Sequence, residues 1–286
     1  TRYTLDGTEP NQSSPKYDSQ FIAIDGATKI SAKTWFGTST SNTAAENISY
    51  KSSWNPSIAY GSVTDSRDGK IYKTVTIGTQ TWFAENLNYK TPKAISIQHS
   101  SYDSIAIGDW CYDNDDKMCS IYGRLYSWPR AMNIPDSCGV SANDCSELVK
   151  KPNQGICPTG WHVPDSLEWS QLLKTVGINS NTTGNGYFST DSVAIMKLAA
   201  IGSWNNKGTD DFGFRILPSG GTSNDVNFKW VHSSTLFVSA KSTYRTMYGL
   251  IGSLQYDENS AWLARSARTM SGTALFNSMS LRCIKD

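Results

Sequence analysis

Two short stretches decide the fold of this chain. The first is Cys157-Pro158-Thr159-Gly160-Trp161-His162-Val163-Pro164, and the second is the final segment Leu281-Arg282-Cys283-Ile284-Lys285-Asp286. The first stretch leads into a predicted helix, and the second has the pattern of a returning strand. If Cys157 and Cys283 pair, their disulfide closes a loop of more than one hundred residues. In the loop-entropy account such a bridge stabilises the folded state by about 4–5 kcal/mol.

The segment that follows Pro164 predicts a helix with a defined start. Asp165 can cap it, and Glu168 stands where a capping box requires an acidic residue. The positions of Trp169, Leu172, Leu173 and Val176 form one apolar face, and Gly177 ends it. A second helix is predicted after Thr190, followed by short strands over 214–217, 236–239, 261–264 and 275–282. Two helices and then several strands predict an α+β fold, not a parallel doubly wound sheet.

A hairpin is predicted on the other side of this region. Ile71–Ile77 alternates between apolar and polar residues, Gly78 and Thr79 form a turn, and Gln80–Ala84 returns. Residues 1–50 contain three further predicted strands, Thr1–Leu5, Phe21–Ile24 and Lys29–Phe36, separated by turn residues. A polar connection over 51–61 separates this part from a second domain at 62–286.

The composition excludes two classes of partner. The chain has 286 residues and a net charge of +1 without a basic cluster, which excludes an electrostatic site for nucleic acid or an anionic membrane. No apolar run is long enough to span a bilayer. Ten Trp, fourteen Tyr and few charged residues are typical of secreted β-rich proteins. Because Thr1–Thr4 resembles the inside of a strand, we expect a piece of a longer, extracellular or outer-surface protein whose export signal is not in this sequence.

The six cysteines favour disulfides and an oxidising compartment, because their number is even. Spacing along the chain groups them as two close pairs and one distant pair: Cys111 with Cys119, Cys138 with Cys145, and Cys157 with Cys283. Zinc is a weaker alternative, since there is no Cys-x-x-Cys and no histidine at ligand spacing from a cysteine. Free buried thiols are the third alternative.

The N-terminal phrases resemble a known accessory module. Tyr-Thr-Leu-Asp-Gly-Thr-Glu-Pro at 3–10, followed by Ser-Ser-Pro and Thr-Lys-Ile-Ser-Ala-Lys, is similar to the β-sandwich found at the C-terminus of chitobiases and β-hexosaminidases. The resemblance implies a partial, Ig-like all-β module over residues 1–50. In that family the module is an accessory, so no catalytic role is implied.

The second domain resembles the Fibrobacter succinogenes major paralogous domain over 62–286. The resemblance rests on IGTQTWFAENLNY (77–89), CYDND (111–115), YGRLYSW (122–128), CPTGWHVP (157–164), GTDDFGF (208–214) and LRCIKD (281–286). It implies a secreted or surface-bound protein with the C-type-lectin-like fold shared by formylglycine-generating enzymes. In that fold a cystine joins the first helix region to the last strand, which implies a Cys157–Cys283 disulfide. The family's late Trp-Ser-Ser segment has no Trp counterpart in Leu236–Ser242.

An acidic loop and a set of aromatic residues are the candidate binding sites. Asp113, Asp115 and Asp116 could hold calcium, the one cofactor that the sequence suggests. The alternative is a solvated loop with Asx-turns, and the sequence lacks the closing Glu of an EF-hand. Aromatic residues in the part after the helices are candidate platforms for polysaccharide: Trp204, Trp230, Tyr244, Tyr248 and Trp262.

No catalytic arrangement is recognisable, because each cysteine has a plausible structural partner and His162 has the context of a core or turn residue. The sequence therefore predicts a non-catalytic surface protein for adhesion or polysaccharide recognition. One alternative is a structural subunit of a surface assembly that binds other protein copies. A formylglycine-generating type of enzyme is the other, and it requires accessible thiolates.

Overall fold

The computed structural model describes thirteen ranges of the chain: 1–17, 29–47, 54–99, 104–139, 145–178, 192–204, 208–222, 227–231, 234–235, 237–240, 252–256, 261–265 and 278–286. These residues belong to two compact units, Thr1–Ser53 and Trp54–Asp286. Trp54, Ile58 and Tyr60 pack against the core of the second unit. The predicted connection over 51–61 is therefore too long at its C-terminal end, because three apolar side chains of that segment are used in packing.

The first unit is a small antiparallel sheet with a separate hairpin. The sheet has the order β1 (Arg2–Thr4), β2 (Lys29–Lys33) and β5 (Ala44–Asn47). The hairpin pairs β3 (Trp35–Phe36) with β4 (Ser39–Thr40). The predicted strands at 1–5 and 29–36 are confirmed in outline, and the one at 21–24 lies outside the described residues.

The second unit contains a five-stranded antiparallel sheet built on the predicted hairpin, β7 (Ile71–Ile77) and β8 (Gln80–Phe83). The order across this sheet is β13, β20, β8, β7, β6, in which β6 is Gly61–Thr64, β13 is Trp161–His162 and β20 is Ile284–Lys285. The two stretches that open the sequence analysis are thus neighbours, since Trp161 pairs with Lys285 and His162 with Ile284.

A second, mixed sheet lies in the same unit. Its order is β11, β12, β19, β14, β16, β17, β18, and β15 also pairs with β14. The pairing of β14 with β16 is parallel. The remaining described strands form the ribbon β9–β10. The bounds are β9 Ser96–His99, β10 Ser104–Ile107, β11 Asp109–Trp110, β12 Leu125–Ser127, β14 Ser219–Thr222, β15 Phe228–Val231, β16 Ser234–Thr235, β17 Gly252–Tyr256, β18 Ala261–Arg265 and β19 Ser278–Ser280.

The described part of the chain has four α-helices, where the sequence predicted two. They are α1 (Asp116–Tyr122), α2 (Trp128–Met132), α3 (Ser166–Thr175) and α4 (Ser192–Met196). The capping box of α3 is confirmed: the Asp165 carboxylate accepts from the N–H groups of Leu167 and Glu168, and the Glu168 carboxylate accepts from the Asp165 N–H. None of the described helices is long and apolar enough to cross a membrane.

Two predicted strands are replaced by irregular chain. Residues 214–217 make only an isolated bridge, between Ala199 and Ile216, and residues 237–239 make one between Phe237 and Ser280. The prediction was wrong there because an apolar run satisfies burial without requiring a continuous ladder. The α+β class holds, with mixed sheets, few helices and three disulfides.

The β7–β8 hairpin separates two hydrophobic cores. Trp82 faces the first core, which includes residues of α3 and α4, and its neighbour Phe83 faces the second core, which surrounds the Cys157–Cys283 disulfide. Both side chains are completely buried. Successive side chains of a strand point to opposite faces, so β8 contributes a large aromatic residue to each core.

Arg282 joins the hairpin to the loop before β14 inside the protein. Its guanidinium is fully buried and donates to the Asn86 side chain at 2.6 Å and to the carbonyl oxygens of Phe83, Phe214 and Arg215 at 3.0, 2.6 and 2.8 Å. Burial, aided by the charge of Arg215, lowers the pKa of Arg282 to about 9, so it remains protonated at neutral pH.

Replacing both cysteines of the long-range bridge by alanine should destabilise the second unit more than removing a short bridge. Cys157 and Cys283 are separated by 126 residues, and Cys138 and Cys145 by 7. Loop entropy predicts losses of about 5 and about 2 kcal/mol in the free energy of unfolding. Denaturant unfolding of both double variants checks this, and equal losses would contradict the loop-entropy explanation.

Arg282→Met should lower the free energy of unfolding by about 3–5 kcal/mol, because it leaves buried acceptors without a donor. Lys174→Met, at an exposed position of α3, is the matched control and should change stability by less than about 0.5 kcal/mol. The measurement is urea unfolding at neutral pH. If both variants lost the same small amount, the buried guanidinium would not hold these segments together.

Candidate functional site

Trp204 is the one predicted ligand ring whose side chain is described, and its expected exposure is wrong. The side chain is 1% exposed and belongs to the first core. Its indole N–H donates to the Ile216 carbonyl at 2.9 Å. A buried ring with its polar atom satisfied internally has no face left for a sugar, so Trp204 is a structural residue.

The other four predicted rings stay predictions. Trp230 lies on β15 and Trp262 on β18, where it is opposite Gln255. The structure does not describe the side chains of Trp230 and Trp262. Tyr244 and Tyr248 lie outside the described residues altogether.

The acidic loop is built as a helix start, not as a metal site. The Asp115 carboxylate accepts from the Lys117 N–H and caps α1, and Asp116 lies 3.9 Å from the Arg124 guanidinium. Burial, then the neighbouring Asp115 charge, raises the pKa of Asp113. No group of three metal-ligating side chains occurs within the thirteen described ranges. Asp115 and Asp116 therefore have separate local contacts.

All six cysteines form disulfides, in the three pairs expected. Zinc ligation and free thiols, the two alternatives, are therefore excluded for this structure.

His162 is clamped between two carboxylates. Its Nδ1 lies 2.7 Å from an Asp286 carboxylate oxygen and its Nε2 lies 2.7 Å from Glu168. Burial alone would lower the pKa of His162, but these hydrogen bonds outweigh it and raise the pKa above its usual value. A protonated imidazole that donates from both nitrogens holds the start of α3 against the end of the chain, and has no nitrogen left to act as a base.

A site that the sequence did not predict lies around Trp54. The Trp54 and Tyr60 rings meet edge to face, with centroids 5.1 Å apart. The Arg215 guanidinium carbon lies 4.2 Å from the centre of the Trp54 ring, and Lys73 Nζ lies 4.5 Å from it. All four side chains are partly exposed. We call Trp54, Tyr60, Lys73 and Arg215 the cationic wall.

Asp210 holds residues of the cationic wall in place through hydrogen bonds from inside the protein. It is fully buried, and its carboxylate accepts from the Arg215 N–H at 2.7 Å and from the Tyr60 hydroxyl at 3.2 Å. The Asn55 side chain donates to the Asp210 carbonyl. Burial raises the pKa of Asp210 to about 7, although these hydrogen bonds and the nearby arginines oppose the rise.

Gly213 allows the segment around Trp54 to dock. Its φ of 69° lies in the left-handed region, and a Cβ there would come within 2.7 Å of Ile58 and 3.0 Å of Tyr60. The sequence offered little signal for this site. Trp54 and Tyr60 lay in the predicted linker, and two aromatic residues in a polar segment were the one available hint.

The pH dependence of the free energy of unfolding should reveal that His162 is protonated in the folded protein. A raised folded-state pKa gives a contribution that is complete below the unfolded pKa of about 6.5 and is lost as pH rises through the folded value. The stability difference between the wild type and His162→Gln should therefore be larger at pH 6 than at pH 9.

Unfolding curves across this pH range provide the measurement, with Lys174→Gln, at an exposed position of α3, as the control. A His162→Gln difference that is constant with pH, or that grows toward pH 9, would contradict a clamped imidazolium.

Comparison with known proteins gives two family matches. The model of the chitobiase/β-hexosaminidase C-terminal domain matches residues 1–45. The model of the Fibrobacter succinogenes major domain matches residues 75–285, most of the second unit. No curated protein and no solved structure matches the chain. Since the second match covers well over half of the residues of the chain, the chain belongs to the Fibrobacter succinogenes major domain family.

Proposed function

We propose that this is an extracellular or cell-surface, non-catalytic protein whose second unit binds polysaccharide. The observation that carries the proposal is the cationic wall. Its Trp54 and Tyr60 rings are partly exposed, and they are fixed in place by cations and by Asp210. Partly exposed rings that are held rigidly provide contact area at low entropic cost.

The state of the cysteines and of His162 supports a non-catalytic role. The three disulfides leave no thiolate for chemistry of the formylglycine-generating type. His162 has carboxylates on both nitrogens. Three disulfides in one unit also fit an oxidising, extracellular location. The bridge between Cys157 and Cys283, the residue directly before β20, supports a C-type-lectin-like relationship of the fold, which is part of this proposal.

A structural subunit that binds further protein copies is the second candidate function. The ribbon β9–β10 favours it, because Ile95 and Ile97 are 54% and 53% exposed beside a two-stranded sheet. Strand edges with apolar neighbours are sites where another chain can add.

We expect the 286-residue chain to be retained on at least one of cellulose, xylan, chitin and insoluble pectin, equally with and without chelator. Trp54→Ala should weaken retention about tenfold, the cost of truncating a central aromatic contact. The measurement is a depletion isotherm on each polysaccharide. Tyr17→Ala, which removes a 45% exposed ring of the first unit, is the control.

Trp230→Ala and Trp262→Ala test the two predicted rings on β15 and β18 in the same assay. Retention lost on chelation would return a metal site to consideration and contradict the metal-free wall. Absence of retention on all four polysaccharides would overturn the proposed function and favour the structural subunit.

A further inference from the structure

The second unit begins with a short segment that is held by side chains alone. Residues 54–60, which we call the strap, belong to no helix or strand. The strap has a turn of its own, in which the Ile58 N–H donates to the Asn55 carbonyl and the Ser57 N–H donates to the Asn55 side chain. Ile58 and Tyr60 fill the space where a Cβ of Gly213 would lie. The strap can therefore dock or detach without breaking a sheet.

Asp210 is the polar anchor of the strap. The Tyr60 hydroxyl donates to its carboxylate at 3.2 Å, and the Asn55 side chain donates to its carbonyl oxygen at 2.9 Å. The Asn55 backbone N–H lies 3.4 Å from the Tyr60 hydroxyl oxygen, which therefore accepts one hydrogen bond while it donates another. Asp210 is completely buried. If the strap detached, the Asp210 carboxyl group would lose a donor and meet water.

The surroundings of Asp210 favour a neutral carboxyl group. The two donors to its carboxylate are a hydroxyl group and the Arg215 backbone N–H. Asp210 forms no ion pair within the described ranges. A buried carboxylate without a counter-ion in contact loses hydration that two hydrogen bonds replace incompletely, so it tends to take up a proton.

The charged and titratable groups that act on Asp210 come from three elements: Tyr60 of the strap, Arg215 of its own segment and Arg282 before β20. Burial raises the pKa of Asp210, whereas the hydrogen bonds and both arginines lower it. Burial prevails, and the pKa is about 7. Further out, Glu85 interacts with Arg282, and Lys73 Nζ lies 5.3 Å from the centre of the Tyr60 ring. Asp210 therefore changes its charge near neutral pH.

We infer that the strap is a proton-coupled latch, which docks on protonated Asp210 and detaches more readily when that carboxyl group ionises. Each detachment above neutral pH exposes a carboxylate, and each detachment at lower pH releases one proton. The strap carries Trp54 and Tyr60, so the latch also controls whether the cationic wall is assembled. The inference concerns a conformational change of the strap and goes beyond the proposed function.

The direction of the pH effect follows from the two states. In the detached state the exposed Asp210 carboxyl group has its ordinary pKa of about 3.9. Docking is therefore strongest below that value and weakens as pH rises toward the docked-state pKa of about 7. Between pH 5 and pH 8 the docking equilibrium constant should fall by roughly one to two orders of magnitude.

Hydrogen exchange of the 286-residue chain, measured by mass spectrometry from pH 5 to pH 8, tests the latch. After correction for intrinsic exchange rates, protection of peptides that contain residues 54–60 should fall at least about tenfold, while peptides from β7 and β8 keep theirs. Asp210→Asn is neutral at every pH and should remove this dependence. Asp211→Asn, which removes an exposed carboxylate one position away, is the matched control and should follow the wild type.

Urea unfolding gives a second measure, because unfolding also exposes Asp210. The stability of Asp210→Asn relative to the wild type should increase from pH 5 to pH 8. If Asp210→Asn does not fold, as judged by thermal melting, Tyr60→Phe provides the test in its place. It removes a donor that lowers the Asp210 pKa, so the midpoint of the exchange change should move to higher pH.

Three results would overturn the latch: the same pH response in the wild type and Asp210→Asn, strap protection that rises with pH, or an equal loss of protection in β7 and β8. For Tyr60→Phe, an unchanged midpoint would contradict it. All of these measurements are made without polysaccharide. Failure of the latch would therefore leave the proposed function standing, and absence of polysaccharide retention would leave the latch standing.

Discussion

The second unit depends on the burial of one guanidinium. The Arg282 guanidinium must find hydrogen-bond acceptors inside the protein, because a buried charge without hydrogen bonds would cost several kcal/mol. The chain meets this requirement with three carbonyl groups and the Asn86 side chain, drawn from the end of the hairpin and from the Phe214–Arg215 segment. Segments that would otherwise be independent loops are therefore held at fixed positions, and Phe214 is placed against Trp82 and Trp169 in the first core.

The features that could be predicted from the sequence are those encoded locally. The β7–β8 hairpin has a two-residue turn between alternating strands, and the capping box of α3 lies within four consecutive residues. The family phrases then placed the Cys157–Cys283 bridge. Features decided by distant contacts were missed. The indole of Trp204 carries one N–H donor, which needs an acceptor when the ring is buried. That acceptor is the Ile216 carbonyl, twelve residues away. Trp54 and Tyr60 were assigned to a linker because their partners, Arg215 and Asp210, lie 150 or more positions further along the chain.

The same buried charge influences the surface. Arg282 and Arg215 act on Asp210, whose burial would otherwise raise its pKa further. Asp210 in turn holds the Tyr60 hydroxyl and the Arg215 backbone. The cationic wall is thus the outer end of a series of contacts that begins in the core. A binding surface that is organised before the ligand arrives loses less conformational entropy on binding.

The Cys157–Cys283 bridge also has an evolutionary consequence. The bridge and the pairing of β13 with β20 fix both ends of the intervening stretch at one edge of the five-stranded sheet. Because the entropic cost of loop closure grows slowly with loop length, insertions between β13 and Arg282 cost little of the stability that the bridge provides. A duplicated gene could therefore change that stretch, and with it the surface presented to a partner, while it keeps the same hairpin, the same buried arginine and the same final strand.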